Sequence, residues 1–212
     1  MPDMDASVAY RILADTSQVI DDCLVARLVR FPSAESTRGL MVETALEIPQ
    51  EVRFESMFRV LKETDYPCND VSWPIMSRRM LDTLLSIGDF KRREIPVRMF
   101  DDLVLKDEDR IDASGSVRPE VVDDRFVAVQ LLEHLQDAFD FEQSDYMPSR
   151  ISPKFVSKVK KLVIKTPPAD LPPLFRLAAC RRYLFVSVTA RQALNEAAIA
   201  GPVFQPLDRL VS

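Results

Sequence analysis

The chain has 212 residues, 47% of them apolar and 29% charged, which suits one large packed domain and excludes an intrinsically disordered segment. Its formal charge of −5 lies on interleaved acids and bases. The basic balance on which nucleic-acid affinity rests is therefore missing.

Residues 1–65 read as a β-rich N-terminal part joined in one compact unit to an α+β part at 66–212. Period-two alternation runs through Val8, Tyr10 and Ile12, then Leu24, Ala26 and Leu28, then Phe58 and Val60. The polar, proline-bearing segments 31–39 and 48–51 separate these runs, and the spacing predicts a meander of short strands. YPCNDVSWPIMS, at 66–77, is a loop leading into a helix, because Pro67 and Pro74 disfavour helix before them. Ser77 can cap that helix by accepting from a first-turn N–H, Met80, Leu81, Leu84 and Leu85 share one face, and Gly88 is placed to end it. A strand at 94–100 turns Ile95, Val97 and Met99 one way; Pro96 cannot donate to a ladder and predicts an edge position or an irregular start. The acidic stretch 101–124, with Gly115, reads as an exposed excursion of loops.

RFVAVQLL, at 125–132, predicts a buried strand, although Val127, Leu131 and Leu135 also suit a helix. An acidic, aromatic connection follows, then a lysine-flanked strand at 156–165 and a stiff proline-rich spacer. PPLFRLAA and YLFVS make two more strands. Ser187 or Thr189 opens a helix with Ala190, Ala193, Leu194 and Ala197 on one stripe, Gly201 closes it, and a last strand or extended tail ends the chain. No internal repeat is evident. Strands in runs with few helices between them predict an α+β fold with a largely antiparallel sheet.

Little in the sequence announces catalysis or a cofactor. Cys23, Cys68 and Cys180 are scattered and odd in number, which argues against a disulfide framework or a structural metal and fits a reducing cytosol. The lone histidine, His134, would need Cys68 or Cys180 beside it and an orienting acid such as Asp137 to form a nucleophile–base pair. Glu133, Asp137 and Asp140 could serve as carboxylate metal ligands, and the first two would face together if 133–140 were helical; a solvated acidic face is the much commoner explanation. Gly39, Gly88, Gly115 and Gly201 stand alone, so no phosphate loop or dinucleotide fingerprint can be assembled. Lys154, Lys158, Lys160, Lys161 and Lys165 read as protection of a strand edge, with a nucleic-acid stripe as the alternative. The opening MPDMDASVAYRILADT has acids where a signal peptide has a basic flank, and no apolar run reaches the ~20 residues of a membrane helix. A cytoplasmic protein with no cofactor, and with neither nucleic acid nor membrane as partner, is expected.

The order of segments in the second half resembles the immunity-eleven family of bacterial polymorphic-toxin immunity proteins. WPIMSRRMLDTL resembles its proline–hydrophobic–serine helix entry, IPVRM its following strand, and RFVAVQLL with DFEQSDY its central strand and acid–Ser–acid–Tyr connection. LFRLAACRRYLFVSVTARQAL with AIAGPVFQPL resembles its closing strand–strand–helix–Gly–Phe signature. The likeness spans residues 66–207 and departs at 101–124 and at Pro202. It implies an antitoxin that binds a cognate effector toxin through a protein–protein interface, without catalysis. Pro74, Ser77, Leu174, Phe175, Ser187, Gly201 and Phe204 then specify the fold, not the contacts.

For a basic toxin, the acidic segments are the candidate contacts: Asp101, Asp102, Asp107, Glu108 and Asp109, then Asp137, Asp140, Glu142 and Asp145. Solvated surface explains both equally well. The alternatives are a carboxylate-based hydrolase with its site near 133–146, and a homodimeric scaffold joined through exposed strand edges.

Overall fold

The structure is a computed structural model and describes residues 7–17, 25–29, 39–43, 52–104, 106–150 and 152–210. Cys23, Leu24 and the segments 31–38 and 48–51 lie outside those residues. In chain order the described elements are β1 (Ala9–Ala14), β2 (Ala26–Leu28), β3 (Val52–Ser56), α1 (Phe58–Leu61), β4 (Ile75–Ser77), α2 (Arg78–Ile87), β5 (Arg92–Asp101), β6 (Val122–Leu131), β7 (Asp145–Pro148), β8 (Val156–Lys161), β9 (Leu174–Phe175), β10 (Phe185–Ser187), α3 (Val188–Glu196) and β11 (Pro202–Pro206). This is an α+β fold. A four-stranded sheet runs β11–β1–β10–β9, a five-stranded sheet runs β2–β3–β5–β6–β4, and β7–β8 form a hairpin. Described pairings are antiparallel except β3 with β5.

The long apolar runs follow from sheets covered on both faces. Along β6, Val127, Val129 and Leu131 enter a core with Tyr10, Ile12, Val186, Met80, Leu84, Ala190 and Leu194. The alternate residues Phe126 and Ala128 enter a second core with Phe54, Trp73, Ile75 and Val97. On β10, Val186 belongs to the first core, while Phe185 faces a third with Val159, Phe139 and Phe175. The first core draws on both sheets and both longer helices, so it holds the two halves together.

Several expectations are corrected. Phe58 and Val60 lie on the single helical turn α1, not on a strand, because Leu61 is buried with them and a short apolar run does not distinguish the two periods. The N-terminal strands form no meander: β1 pairs with β10 and β11, while β2 and β3 join the other sheet. Pro96 is not on an edge, since β5 lies between β3 and β6; the described register with β3 begins at Val52 opposite Val97, one residue past the proline. The excursion at 101–124 ends earlier than expected, with 122–124 already in β6. The stretch 133–140 forms no helix, so the condition under which Glu133 and Asp137 would face together is not met.

One local device occurs twice. Three-residue strands β4 and β10 each end in a serine whose Oγ accepts from the N–H three residues on, Ser77 from Met80 at 3.1 Å and Ser187 from Ala190 at 3.2 Å. Each serine satisfies an orphan donor of the helix that follows. Helices α2 and α3 then pack against one another.

The buried carboxylate of Asp65 fastens the two units together. Its Oδ1 accepts from Ser77 Oγ at 2.6 Å, and its Oδ2 accepts from Arg79 Nη2 and from the Ala200 N–H at 3.0 Å. Its own backbone exchanges bonds with Ala200 and Ser77: N–H to Ala200 O at 2.8 Å, and carbonyl from Ser77 N–H at 2.8 Å. Arg79 also reaches the Ala197 and Ala198 carbonyls at the exit of α3, at 3.4 and 3.3 Å. Close by, Gly201 has φ +98°, and an added Cβ would lie 2.0 Å from Thr64 Oγ1. Both conformation and space demand glycine there.

Burial pushes the Asp65 carboxyl up, but the donors from Arg79, Ser77 and Ala200 outweigh it and hold the group below its ordinary value. A depressed carboxyl contributes stability that is present above the unfolded value and drains as pH falls through the folded one. Asp65→Ala is expected to cost about 3 kcal/mol in urea unfolding at neutral pH, because it orphans donors gathered around a buried charge. In Asp65→Asn, this component of acid destabilisation disappears from the stability–pH curve. Gly201→Ala is expected to cost about 2 kcal/mol in the same assay, from strained backbone and the clash with Thr64.

Candidate functional site

The first acidic segment is partly compensated from within. Arg110, only 7% exposed, donates to Glu55 Oε1 and Asp107 Oδ1, each at 3.2 Å, and to the Val104 carbonyl at 3.0 Å. Lys106 lies 3.5 Å from Glu108, and Arg118 donates to the Asp109 carbonyl at 3.1 Å. Asp101 accepts from the Leu103 N–H at 3.1 Å, closing its own turn. Asp102 is half-buried, and burial, then Asp101 and Glu55, push its carboxyl up.

In the second segment, Asp140 is buried, and its Oδ1 accepts from the Glu142 and Gln143 N–H groups at 2.9 and 3.0 Å. It shapes a turn and is not an exposed contact. Asp137, at φ 52°, Glu142 and Asp145 are exposed. Glu133 is also exposed and shares no helix face with them. Among the described residues no three His, Cys, Asp or Glu side chains gather as a metal site requires.

A cleft of about 590 Å³ lies elsewhere, where β1, the 66–74 loop, β8 and the 176–184 segment meet. Arg11, Arg176, Arg182 and Lys158 line it together with Tyr66, Cys68, Asn69, Trp73 and Tyr183, and no described lining residue is Asp or Glu. One wall is rigid: the Asn69 amide donates to the Trp73 carbonyl and accepts from the Trp73 N–H, both at 2.9 Å, while Cys68 O accepts from Ala26 N–H at 3.0 Å. On the opposite side the Arg11 guanidinium lies 4.2 Å over the Tyr183 ring, and exposed Arg182 is tethered to the Ser157 carbonyl at 2.8 Å.

Arg176 is the unusual member. It is 2% exposed, donates from Nη1 to the Arg181 carbonyl at 2.6 Å, and has no partner among the described residues for its buried Nε. Where buried Arg110 meets two carboxylates, Arg176 meets none among the described residues. Burial pulls it down to about 10, so it remains a cation at neutral pH. Burial likewise raises the Tyr66 phenol to about 12, pushes the Cys68 thiol up, and raises the Cys180 thiol to about 12. These shifts oppose the thiolate that nucleophilic cysteine chemistry requires.

His134 is 1% exposed, and neither ring nitrogen meets a hydrogen-bond partner among the described residues. Its backbone N–H donates to Glu43 Oε1 at 2.9 Å, and its Nδ1 stands 4.0 Å from Glu43 Oε2. Burial pulls the imidazole down to about 4; Glu43 opposes this, and Arg176 and Arg181 reinforce it.

The cleft escaped the sequence reading because its cations are far apart in the chain. Arg176 and Arg182 stand beside strands read for their apolar residues, and Lys158 was read as edge protection. The antiparallel register that sets Arg11 opposite Phe185 brings it to the segment carrying Arg182, and the bond from Arg182 to the Ser157 carbonyl links that segment to β8 and Lys158.

No protein-family model matches the chain, and no curated protein matches it. No helix among the described residues is long and apolar enough to cross a membrane.

The His134 environment gives a testable pH dependence. An unfolded histidine takes up its proton near ~6.5, whereas the folded one resists until about 4. Stability is therefore expected to fall as pH drops through that window. His134→Leu is expected to flatten this part of the urea-midpoint curve.

Proposed function

We propose that this chain is a cytoplasmic immunity protein of the immunity-eleven kind, which binds a cognate effector toxin and blocks it without catalysis. The observation that carries the reading is where the resemblance residues lie. Pro74 accepts from the Val129 N–H at 2.9 Å, Ser77 and Ser187 cap the two packed helices, and Leu174 and Phe175 are buried. Gly201 fits against Thr64, and Phe204 packs on the first core. A signature of this kind preserves a scaffold and leaves the exterior free to match one partner. The Cys68 and Cys180 thiols, held protonated, are suited to packing and not to nucleophilic attack.

Asp107, Glu108, Asp109, Asp137, Glu142 and Asp145 remain the candidate contacts for a basic toxin. Ion pairs within the first segment reduce its net field, so the second segment is the stronger candidate. The test is co-expression with the toxin encoded beside this gene. A stable complex on gel filtration and restored growth are expected. Failure to form that complex removes the proposal. Glu142→Lys combined with Asp145→Lys is expected to slow association about tenfold, with little change in the urea midpoint.

A further inference from the structure

The geometry points to a second binding site: the cleft walled by Arg11, Arg176, Arg182 and Lys158 holds a small, multiply charged oxyanion, either a polyphosphate or a polycarboxylate. This goes beyond toxin neutralisation and does not depend on it.

The first ground is charge. The chain carries −5 overall, yet every charged residue described in the cleft lining is a cation. Tyr66 and Cys68 stay protonated at neutral pH, so they add no negative charge to the lining. A single carboxylate would leave the lining strongly positive; a multiply charged ligand matches it.

The second ground is Arg176. A buried guanidinium ordinarily has a carboxylate beside it, because an uncompensated buried charge costs several kcal/mol. Arg110 follows that rule through Glu55 and Asp107. Arg176 is more deeply buried, borders the cleft, and has an unpartnered Nε and no carboxylate among the described residues. Its planar fork suits two parallel bonds to a phosphate or carboxylate. An oxyanion in the cleft would supply the counter-charge that the protein does not.

The third ground is size and surface. A volume of about 590 Å³ falls within the ~300–1,000 Å³ of small-molecule sites. Tyr66, Trp73 and Tyr183 add aromatic surface for the body of a ligand, and the Asn69 bonds hold one wall in place.

The test is calorimetric titration of the full chain with inorganic pyrophosphate and, separately, with citrate, at constant ionic strength. Saturable binding with one site per chain is expected for at least one of them. Pyrophosphate preference identifies the phosphate class, and citrate preference the carboxylate class. Arg176→Met is expected to weaken binding at least tenfold, since it removes the bidentate partner. Arg182→Ser combined with Lys158→Ser changes exposed positions only and serves should Arg176→Met fail to fold. That pair is expected to weaken binding about fivefold with an unchanged urea midpoint. Absence of saturable binding by both anions overturns the inference, as does affinity unaltered in the exposed double variant.

Discussion

The buried carboxylate of Asp65 is the constraint on which the rest of the arrangement depends. Helix α2 begins at Ser77, helix α3 ends near Ala197, and the chain turns back toward β11 through Ala200 and Gly201. The first lies more than a hundred residues before the other two; Asp65 bonds to the first and last while its partner Arg79 bonds to the second. A buried carboxylate needs several donors, and orphan groups at helix ends need partners. Each satisfies the other, so the junction sets how the two strand–serine–helix units meet. Met80, Leu84, Ala190 and Leu194, from the helices of the same two units, share one buried core.

Charge in this protein is organised differently from its sequence average. Within 101–109, Asp107 is paired with Arg110 and Glu108 with Lys106, and Asp140 is turned inward to hold its own loop. The cleft, by contrast, gathers cations and has no acid among its described lining residues. Net charge describes long-range steering, whereas binding at a cleft is governed by which ions remain unpaired once the chain has folded. Arg110 and Arg176 make the contrast: both are buried, both contact backbone carbonyls, and only one meets carboxylates.

Much of the fold was legible where a residue type carries a local mechanism. The serine caps at Ser77 and Ser187, the helical faces behind them and the strand at 125–132 all follow from short-range bonding or periodicity. Gly201 does not close α3 as expected: the helix ends at Glu196, and the glycine is required by its φ of +98° and by the contact with Thr64. Reading failed where burial overrides local preference. Phe58 and Val60 alternate like a strand but pack as a helical turn, and Pro96 occupies a strand with partners on both sides.

The sequence by itself determined the α+β class, the punctuation of both longer helices and the apolar runs that fill the cores, because those depend on neighbours within a few residues. Only the tertiary structure decided that β1 joins the C-terminal sheet, that Asp65 is the fastening point, and that Arg11, Lys158, Arg176 and Arg182 face one cleft. The physical reason is range. Capping and periodicity act within one or two turns of chain, while the pairing of β1 with β10 and β11, and the choice of partner for a buried ion, are settled by groups more than a hundred residues away.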